Sequence, residues 1–176
     1  NRILNLIRTD CPFPKIFPSQ LEKDDLFFMQ HAYNEAISAW IADEVPIGAV
    51  VVHDEQIIAT AHNQTRTQND PTAHAEMIAI TIAANHIGDW RLNECKLFVT
   101  KEPCPMCSGA TIMSRIGEVH FSFEDPKMGG LGGAISLQSL ELSNHKPKIV
   151  KGTMQEECRA LIQAFFQIQR LGSKKS

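Results

Sequence analysis

DPTAHAE at residues 70–76 and EPCPMC at residues 102–107 are two motifs that each precede a mostly apolar run. Residues 77–84, after the first motif, contain no helix breaker. In the second motif, Pro105 stands where the first turn of a helix tolerates a missing N–H. Both motifs therefore predict helix starts. Between them, residues 96–100 form a short β-prone segment bounded by polar residues, which predicts a strand.

His74, Cys104 and Cys107 are the candidate metal ligands. One imidazole and two thiolates form a donor set that zinc binds, and a Cys-x-x-Cys pair at a helix start can direct both sulfurs at one ion. All three ligands would lie at helix N-termini, where the helix dipole favours the thiolate. Three protein ligands leave the fourth tetrahedral position for water, whose pKa zinc lowers from 15.7 to roughly 7. The set therefore predicts a catalytic zinc site.

Glu76 is the candidate catalytic residue. It lies two residues after His74 and so does not share the helix face of an i+4 neighbour. In a first helical turn its carboxylate can still point at water on the metal, accept a proton and pass it to the departing amine. His-x-Glu followed by Pro-Cys-x-x-Cys is the zinc deaminase signature, in which the glutamate is not a ligand. The joint pattern predicts hydrolytic deamination of an aromatic base.

Each half of this pattern also has a simpler explanation. A lone Cys-x-x-Cys is often a redox or structural zinc motif, and His62 or His120 could supply a fourth ligand that closes the site. A single histidine is usually a core or surface residue. The two halves together favour the open, catalytic site.

The composition is that of a soluble globular protein, with 43% hydrophobic and 21% charged residues among 176. This length suits one domain with a substantial core. Residues 1–20 contain three prolines and no hydrophobic periodicity, which predicts an extended N-terminal arm before a zinc-dependent deaminase domain at residues 21–172. No run of 18 apolar residues occurs, so we expect no membrane span.

Five cysteines are present, and two of them are assigned to the metal. Cys95, beside a predicted strand, and Cys158, in a helical pattern, are expected to be small buried side chains. An odd number of dispersed cysteines indicates a reduced intracellular protein rather than a disulfide scaffold, and we expect it in the cytoplasm.

Hydrophobic periodicity predicts the other elements. Residues 22–43 form an amphipathic helix, with a capping box between Ser19 and Glu22. Strands are expected at 47–52 and 56–61, paired as a hairpin, and at 118–123 and 148–151, and helices at 136–142 and 154–170. A strand, a helix and a strand within some thirty residues predict a right-handed parallel crossover. The expected fold class is α/β, a three-layer α/β/α arrangement with a five-stranded mixed sheet.

Two further segments are candidate binding sites. The glycines at 129–133 match neither the P-loop nor the dinucleotide-binding spacing, so they indicate a loop and not a phosphate cradle. Residues 141–176 carry seven basic and three acidic side chains, against a net charge of −3 for the chain. This local excess is equally compatible with a solvated face and with an RNA-facing patch.

These motifs, and segments outside them, resemble the bacterial tRNA adenosine deaminases of the cytidine-deaminase-like zinc superfamily, which convert the wobble adenosine of an anticodon to inosine. The likeness extends from about Asp25 to Arg170, and EVPIGAV at 44–50 is similar to the first strand of that family. The more discriminating segments are WRL at 90–92, SRI at 114–116, DPK at 125–127, NH at 144–145, GTMQEEC at 152–158 and FF at 165–166.

The resemblance implies zinc bound by His74, Cys104 and Cys107, with Glu76 as the proton shuttle. It also implies that Asn63 binds the target base and that Asp125 contacts the adjoining sugar. Further contacts to the substrate or along the RNA path are implied for Ala75, Lys127 and Phe166. The implied assembly is a homodimer in which the tRNA anticodon stem-loop touches both subunits.

The chain departs from the family pattern around the second motif. Lys101 replaces a commonly apolar residue, Ser122 replaces a frequent glycine, and Phe123 and Glu124 stand where small or basic residues are common. Glu124 adds negative charge near the expected phosphate path, which predicts weaker RNA binding.

Three functions are compatible with the sequence. The leading hypothesis is zinc-dependent deamination of the wobble adenosine in tRNA. The second keeps the chemistry but takes a free base or nucleoside, such as guanine or cytosine. The third is a noncatalytic binding module on a zinc fold, and the intact Glu76 argues against it.

Overall fold

A five-stranded mixed sheet forms the middle layer of the fold. The computed structural model describes residues 10–141 and 143–173, without the side chain of Ser173. The strands are β1 (Gly48–His53), β2 (Gln56–His62), β3 (Cys95–Val99), β4 (Glu118–Phe121) and β5 (Lys148–Lys151), in the order β2-β1-β3-β4-β5. β1 pairs antiparallel with β2 and β3, whereas β3–β4 and β4–β5 are parallel. The predicted five-stranded mixed sheet is confirmed.

Helices cover both faces of this sheet. They are α1 (Asp25–Ile41), α2 (Thr65–Gln68), α3 (Ala75–Ile87), α4 (Pro105–Met113) and α5 (Gln155–Ser173), with a 3-10 turn at Leu137–Ser139. α3 packs on β1 and β2 from one side, and α1 packs on the same strands from the other. The three-layer α/β/α architecture is therefore as predicted.

The side chains of β1 show why the layers form. Successive residues of a strand point to opposite faces of its sheet. Ala49 and Val51 belong to the core cluster that includes α3, whereas Val50 and Val52 belong to the cluster that includes α1. All four are buried, so β1 is covered on both faces, as its continuous apolar run predicts.

Three predicted details were wrong. The helix predicted from residue 22 begins at Asp25, and its cap is Asp24, whose Oδ1 accepts a hydrogen bond from the N–H of Phe27 at 2.9 Å. No capping box joins Ser19 to Glu22, because the first buried apolar residues, Phe27 and Phe28, lie farther along the chain. The helix predicted at 136–142 is only the 3-10 turn, and Leu142 lies outside the described residues.

The described part of the N-terminal arm, residues 10–20, contains no helix or strand and lies against α1. Asn34 accepts a hydrogen bond from the N–H of Ile16 at 2.7 Å and donates one to its carbonyl at 2.5 Å. The ring of Phe13 packs edge-on to Trp40, with 6.4 Å between centroids. Residues 1–9 of the predicted arm lie outside the described part of the chain.

Cys95 and Cys158 are 1% and 2% exposed, as expected for small buried side chains. All five cysteines lie among the described residues and are free thiols. Within the described ranges, none of the helices combines the length and apolar character needed to cross a membrane.

Candidate metal centre and active site

Two helix starts bring the candidate ligands together. His74 is the N-cap of α3, Cys104 is the N-cap of α4, and Cys107 lies in the first turn of α4. Nδ1 of His74 is 3.6 Å from Sγ of Cys104 and 3.5 Å from Sγ of Cys107. Across residues 10–141 and 143–173, this is the one group of three donor side chains close enough to hold a metal ion. Neither His62 nor His120 belongs to it, so the three side chains that the sequence predicts as ligands are the ones that the structure brings together.

The backbone leaves these side chains free for a ligand. An N-cap side chain commonly accepts a hydrogen bond from its own helix, but His74 and Cys104 do not. The N–H of Ala75 is instead bound by Oδ1 of Asn63 at 2.8 Å, and Pro105 has no N–H to satisfy. Asn63 thus satisfies the first N–H of α3, and α4 begins with a residue that has no N–H. The side chains of His74 and Cys104 are therefore free to face each other.

The sulfurs share a proton unevenly when no metal is bound. A hydrogen bond from the Cys107 thiol lowers the pKa of Cys104 to about 4, although burial opposes this shift. The pKa of Cys107 is raised, because Cys107 keeps the proton that it donates to Cys104. A hydrogen bond with Cys104 raises the pKa of His74. One thiolate is therefore present at neutral pH, which is the form that binds metal.

Glu76 lies in the first turn of α3 and is 3% exposed. Burial raises its pKa to about 7, and its Oε2 atom has no hydrogen-bond partner among the described residues. A buried polar atom without a partner is costly unless a ligand or water completes the site. Beside a histidine and two cysteines, this unpartnered oxygen fits a zinc centre that also binds water.

The remaining predicted residues differ in their surroundings. Asn63 is buried, and its Oδ1 accepts the N–H of Ala75, which is fully buried and follows His74 in the chain. Asp125 is half-buried and accepts hydrogen bonds from the N–H groups of Lys127 and Met128. The Lys127 side chain is exposed, and Phe166 is 42% exposed, with its ring 5.7 Å from that of Phe165.

Two buried glutamates support the site, and the sequence did not reveal their roles. Glu44, 1% exposed, binds Thr65 and Thr67 of α2, the short helix that precedes α3. Glu102, 3% exposed, accepts hydrogen bonds from the N–H groups of Asp125, Leu131 and Gly133 at 3.0–3.1 Å. Each glutamate lies next to an apolar segment that is buried, and this was the only sequence feature that could have indicated a structural role. The partners of both glutamates were not predictable, because they lie more than twenty residues away along the chain.

The four residues that differ from the family pattern each contact another side chain of the chain. Lys101 forms a salt bridge with Asp125, and the carboxylate of Glu124 binds the ammonium of Lys151. Phe123 is 8% exposed, and the guanidinium of Arg159 lies 5.4 Å from its ring centroid. The Ser122 hydroxyl donates to Sγ of Cys158 at 3.2 Å. The charge of Glu124 is thus paired with a lysine.

Comparison with known proteins was consistent with this site. The model of the MafB19-like deaminase family matches residues 23–170. The tRNA-specific adenosine deaminase of Bacillus subtilis (strain 168) is 44% identical over 150 residues, covering 85% of this chain and 93% of that protein. The tRNA-specific adenosine deaminase of Streptococcus pyogenes serotype M18 (strain MGAS8232) is 39% identical over 159 residues, covering 90% and 99%.

Two solved structures are similar to this chain. A structure from a study of A-to-I editing by tRNA:A34 deaminases at the wobble position of transfer RNA has a TM-score of 0.74 and 40% identity, and it covers 76% of this chain and 97% of that one. A guanine deaminase from Nitrosomonas europaea, at 18% identity and a TM-score of 0.64 over 92% of this chain and 91% of that one, shares the fold. The chain therefore belongs to the MafB19-like deaminases and, among them, to the tRNA-specific adenosine deaminase family.

Proposed function

We propose that this protein hydrolytically deaminates the wobble adenosine of a tRNA anticodon to inosine, with zinc as its cofactor. The observation that carries the proposal is the buried, unpartnered oxygen of Glu76 beside His74, Cys104 and Cys107. The relatives named tRNA-specific adenosine deaminase support the substrate.

His74, Cys104 and Cys107 would hold the ion. Zinc bound there would supply water activated for attack at neutral pH. Glu76 would move the protons, since its carboxylate is buried beside these three residues and its Oε2 atom has no other partner among the described residues. Such a group can accept a proton in one step and donate it to the departing amine in the next.

The target base would be held from the loop before α3. Oδ1 of Asn63 already binds the N–H of Ala75, so the amide nitrogen is the group that would donate to the base. Ala75, fully buried beside His74, would form part of the pocket floor. An anticodon base is unpaired, so it can enter such a pocket at little unstacking cost.

Two exposed side chains would contact the RNA outside the base pocket. Lys127 is exposed and would contact the phosphate backbone, and Phe166 offers an exposed ring on which a base could stack. We propose the anticodon stem-loop as the part of tRNA that is bound, a homodimer as the assembly and the cytoplasm as the location. The deaminase domain would comprise residues 21–172, with residues 1–20 as an arm.

The test is an inosine assay on two anticodon stem-loops that differ only at the wobble position, one with adenosine and one with guanosine. We expect inosine in the first only, from protein with about one zinc per chain. No inosine from zinc-loaded protein would refute the tRNA substrate. Ammonia release from free guanine, cytosine or adenosine in the same assay would instead support a small-molecule deaminase. Sedimentation of the purified protein tests the homodimer.

A further inference from the structure

Lys101 and Asp125 form a salt bridge next to the candidate metal centre. Nζ of Lys101 is 2.6 Å from Oδ2 of Asp125, and the two side chains are 25% and 13% exposed. Lys101 lies three residues before Cys104, and Asp125 begins the loop of residues 125–133. The pair therefore links the segment that carries two candidate ligands to a separate loop of the chain.

The other atoms of Asp125 are also engaged within the protein. Oδ1 accepts hydrogen bonds from the N–H groups of Lys127 at 2.9 Å and Met128 at 3.2 Å. The N–H of Asp125 donates to Oε1 of Glu102 at 3.1 Å. Burial alone would raise the pKa of Asp125, but the hydrogen bonds from Lys101 and the two N–H groups hold it below its usual value. Asp125 is thus an anchored carboxylate whose negative charge is balanced by Lys101.

Three consecutive residues before Cys104 hold this loop. The carbonyl of Pro103 accepts a hydrogen bond from the N–H of Gly130 at 2.8 Å, and the carboxylate of Glu102 binds N–H groups of the loop. Lys101 adds the charged contact at the partly exposed edge. Removing its ammonium leaves the carboxylate of Asp125 without its cation but with its two N–H donors, whereas removing the carboxylate of Glu102 leaves three N–H groups without their acceptor.

We propose that Lys101 is a positioning residue that determines the affinity of the site for RNA, a role that depends on the proposed tRNA substrate. Lys101 holds Asp125, and with it residues 125–133, against the metal-binding segment. It also cancels the charge of a carboxylate that would otherwise repel the phosphodiester backbone. The pairing of the neighbouring Glu124 with Lys151 removes a second negative charge from the same segment.

The first test compares kinetics on the adenosine-containing stem-loop. Lys101→Met keeps the length of the side chain and removes its charge. We expect KM to rise about tenfold, with most of the loss of kcat/KM in KM, because binding of the polyanion is weakened. Lys101→Arg should restore KM to within about threefold of the wild type, since it keeps the charge.

Lys96→Met is the matched control. Lys96 lies in β3, at the opposite end from Lys101, and pairs with Glu118 at 3.9 Å, so its substitution makes the same change in net charge away from the site. We expect wild-type KM for this variant. Equal KM values for Lys101→Met and Lys96→Met would overturn the proposal.

A double-mutant cycle tests whether Lys101 acts through Asp125. If it does, Lys101→Met combined with Asp125→Asn should have the KM of Asp125→Asn alone, to within about twofold. Multiplicative effects would mean that Lys101 contacts the RNA directly, and the positioning role would be wrong.

Hydrogen exchange separates this inference from the proposed function. The amides of Lys127 and Met128 should exchange about tenfold faster in Lys101→Met than in wild-type protein, without any RNA present. Unchanged exchange overturns the coupling between Lys101 and the loop. Absence of inosine from the wild-type protein would refute the tRNA substrate, while the exchange measurement would still decide whether Lys101 positions Asp125.

Discussion

Glu102 and Gly133 are joined by a hydrogen bond of 3.0 Å, from the backbone N–H of Gly133 to Oε2 of Glu102. The same oxygen accepts the N–H of Leu131 at 3.0 Å, and Oε1 accepts that of Asp125 at 3.1 Å. One buried carboxylate therefore holds the loop of residues 125–133 against the motif at residues 102–107. This relationship gives a structural role to glycines that match no phosphate-binding pattern.

Glu102→Ala is expected to destabilise the protein by about 4 kcal/mol, because three N–H groups lose a charged acceptor in a buried place. Glu102→Gln should cost less, since its amide oxygen can still accept the N–H groups of Leu131 and Gly133. Urea unfolding of both variants measures these differences. A loss below about 1 kcal/mol for Glu102→Ala would show that water replaces the carboxylate.

Gly133→Ala should also be destabilising. A Cβ atom at Gly133 would overlap the carboxylate of Glu102 and the backbone of Asp125, so the loop would have to move. Gly109→Ala, in α4, is the control, because open space surrounds that position. It should leave stability unchanged or raise it by about 0.5–1 kcal/mol through helix propensity. Equal melting temperatures for the two variants would contradict this account of the loop.

Glu76→Ala should retain zinc and lose at least about a hundredfold in kcat, the typical contribution of general acid–base catalysis. Glu156→Ala is the matched control, since Glu156 also lies in the first turn of a helix but is exposed. Metal analysis and the inosine assay on both variants give the result. Wild-type rates from Glu76→Ala would remove the proton-transfer role.

The grouping of His74, Cys104 and Cys107 could be predicted from sequence, because a zinc site restricts both residue type and spacing. Cys104 and Cys107 lie one helical turn apart, and His74 comes from a second helix start with the same geometry. The roles of Glu102 and Lys101 could not be predicted. Their partners lie more than twenty residues away, in a loop without hydrophobic periodicity, so only the folded backbone defines them.

The start of α1 could not be predicted from local sequence either. Ser19 and Asp24 are both good N-cap residues, so propensity alone does not choose between them. Burial decides: Leu21 is 93% exposed, whereas Phe27 and Phe28 are at most 5% exposed. The helix begins where its side chains enter the core, which depends on the tertiary fold.

Asn34→Ala should release the N-terminal arm. Asn34 makes two hydrogen bonds to the backbone of Ile16, and their loss is expected to cost about 1–2 kcal/mol. Limited proteolysis should then cut within residues 10–20 at lower protease concentration. Asn85→Ala, which removes a bond only to Thr81 within α3, should leave cleavage of the arm unchanged. Identical digestion of the two variants would mean that apolar packing alone holds the arm.

The pKa of Glu76 gives a pH dependence for the metal-free protein. Burial raises this pKa from 4.5 to about 7, so between these values the folded state keeps a proton that the unfolded state has lost. The free energy of unfolding should therefore fall as pH rises through this window, by about 3 kcal/mol in total, and then level off. The stabilisation relative to high pH is fully present only below about pH 4.5.

Glu76→Gln isolates this effect, because glutamine fills the same space and does not titrate, while His74 and both cysteines remain. Urea unfolding of chelator-treated protein at about pH 5 and about pH 8 should show wild type losing about 2.5 kcal/mol relative to Glu76→Gln, since part of the loss has already occurred at pH 5. The difference arises because only the wild type must bury an ionised carboxylate at the higher pH. Parallel pH curves for the two proteins would mean that Glu76 is already ionised in the folded metal-free state, which would contradict its raised pKa.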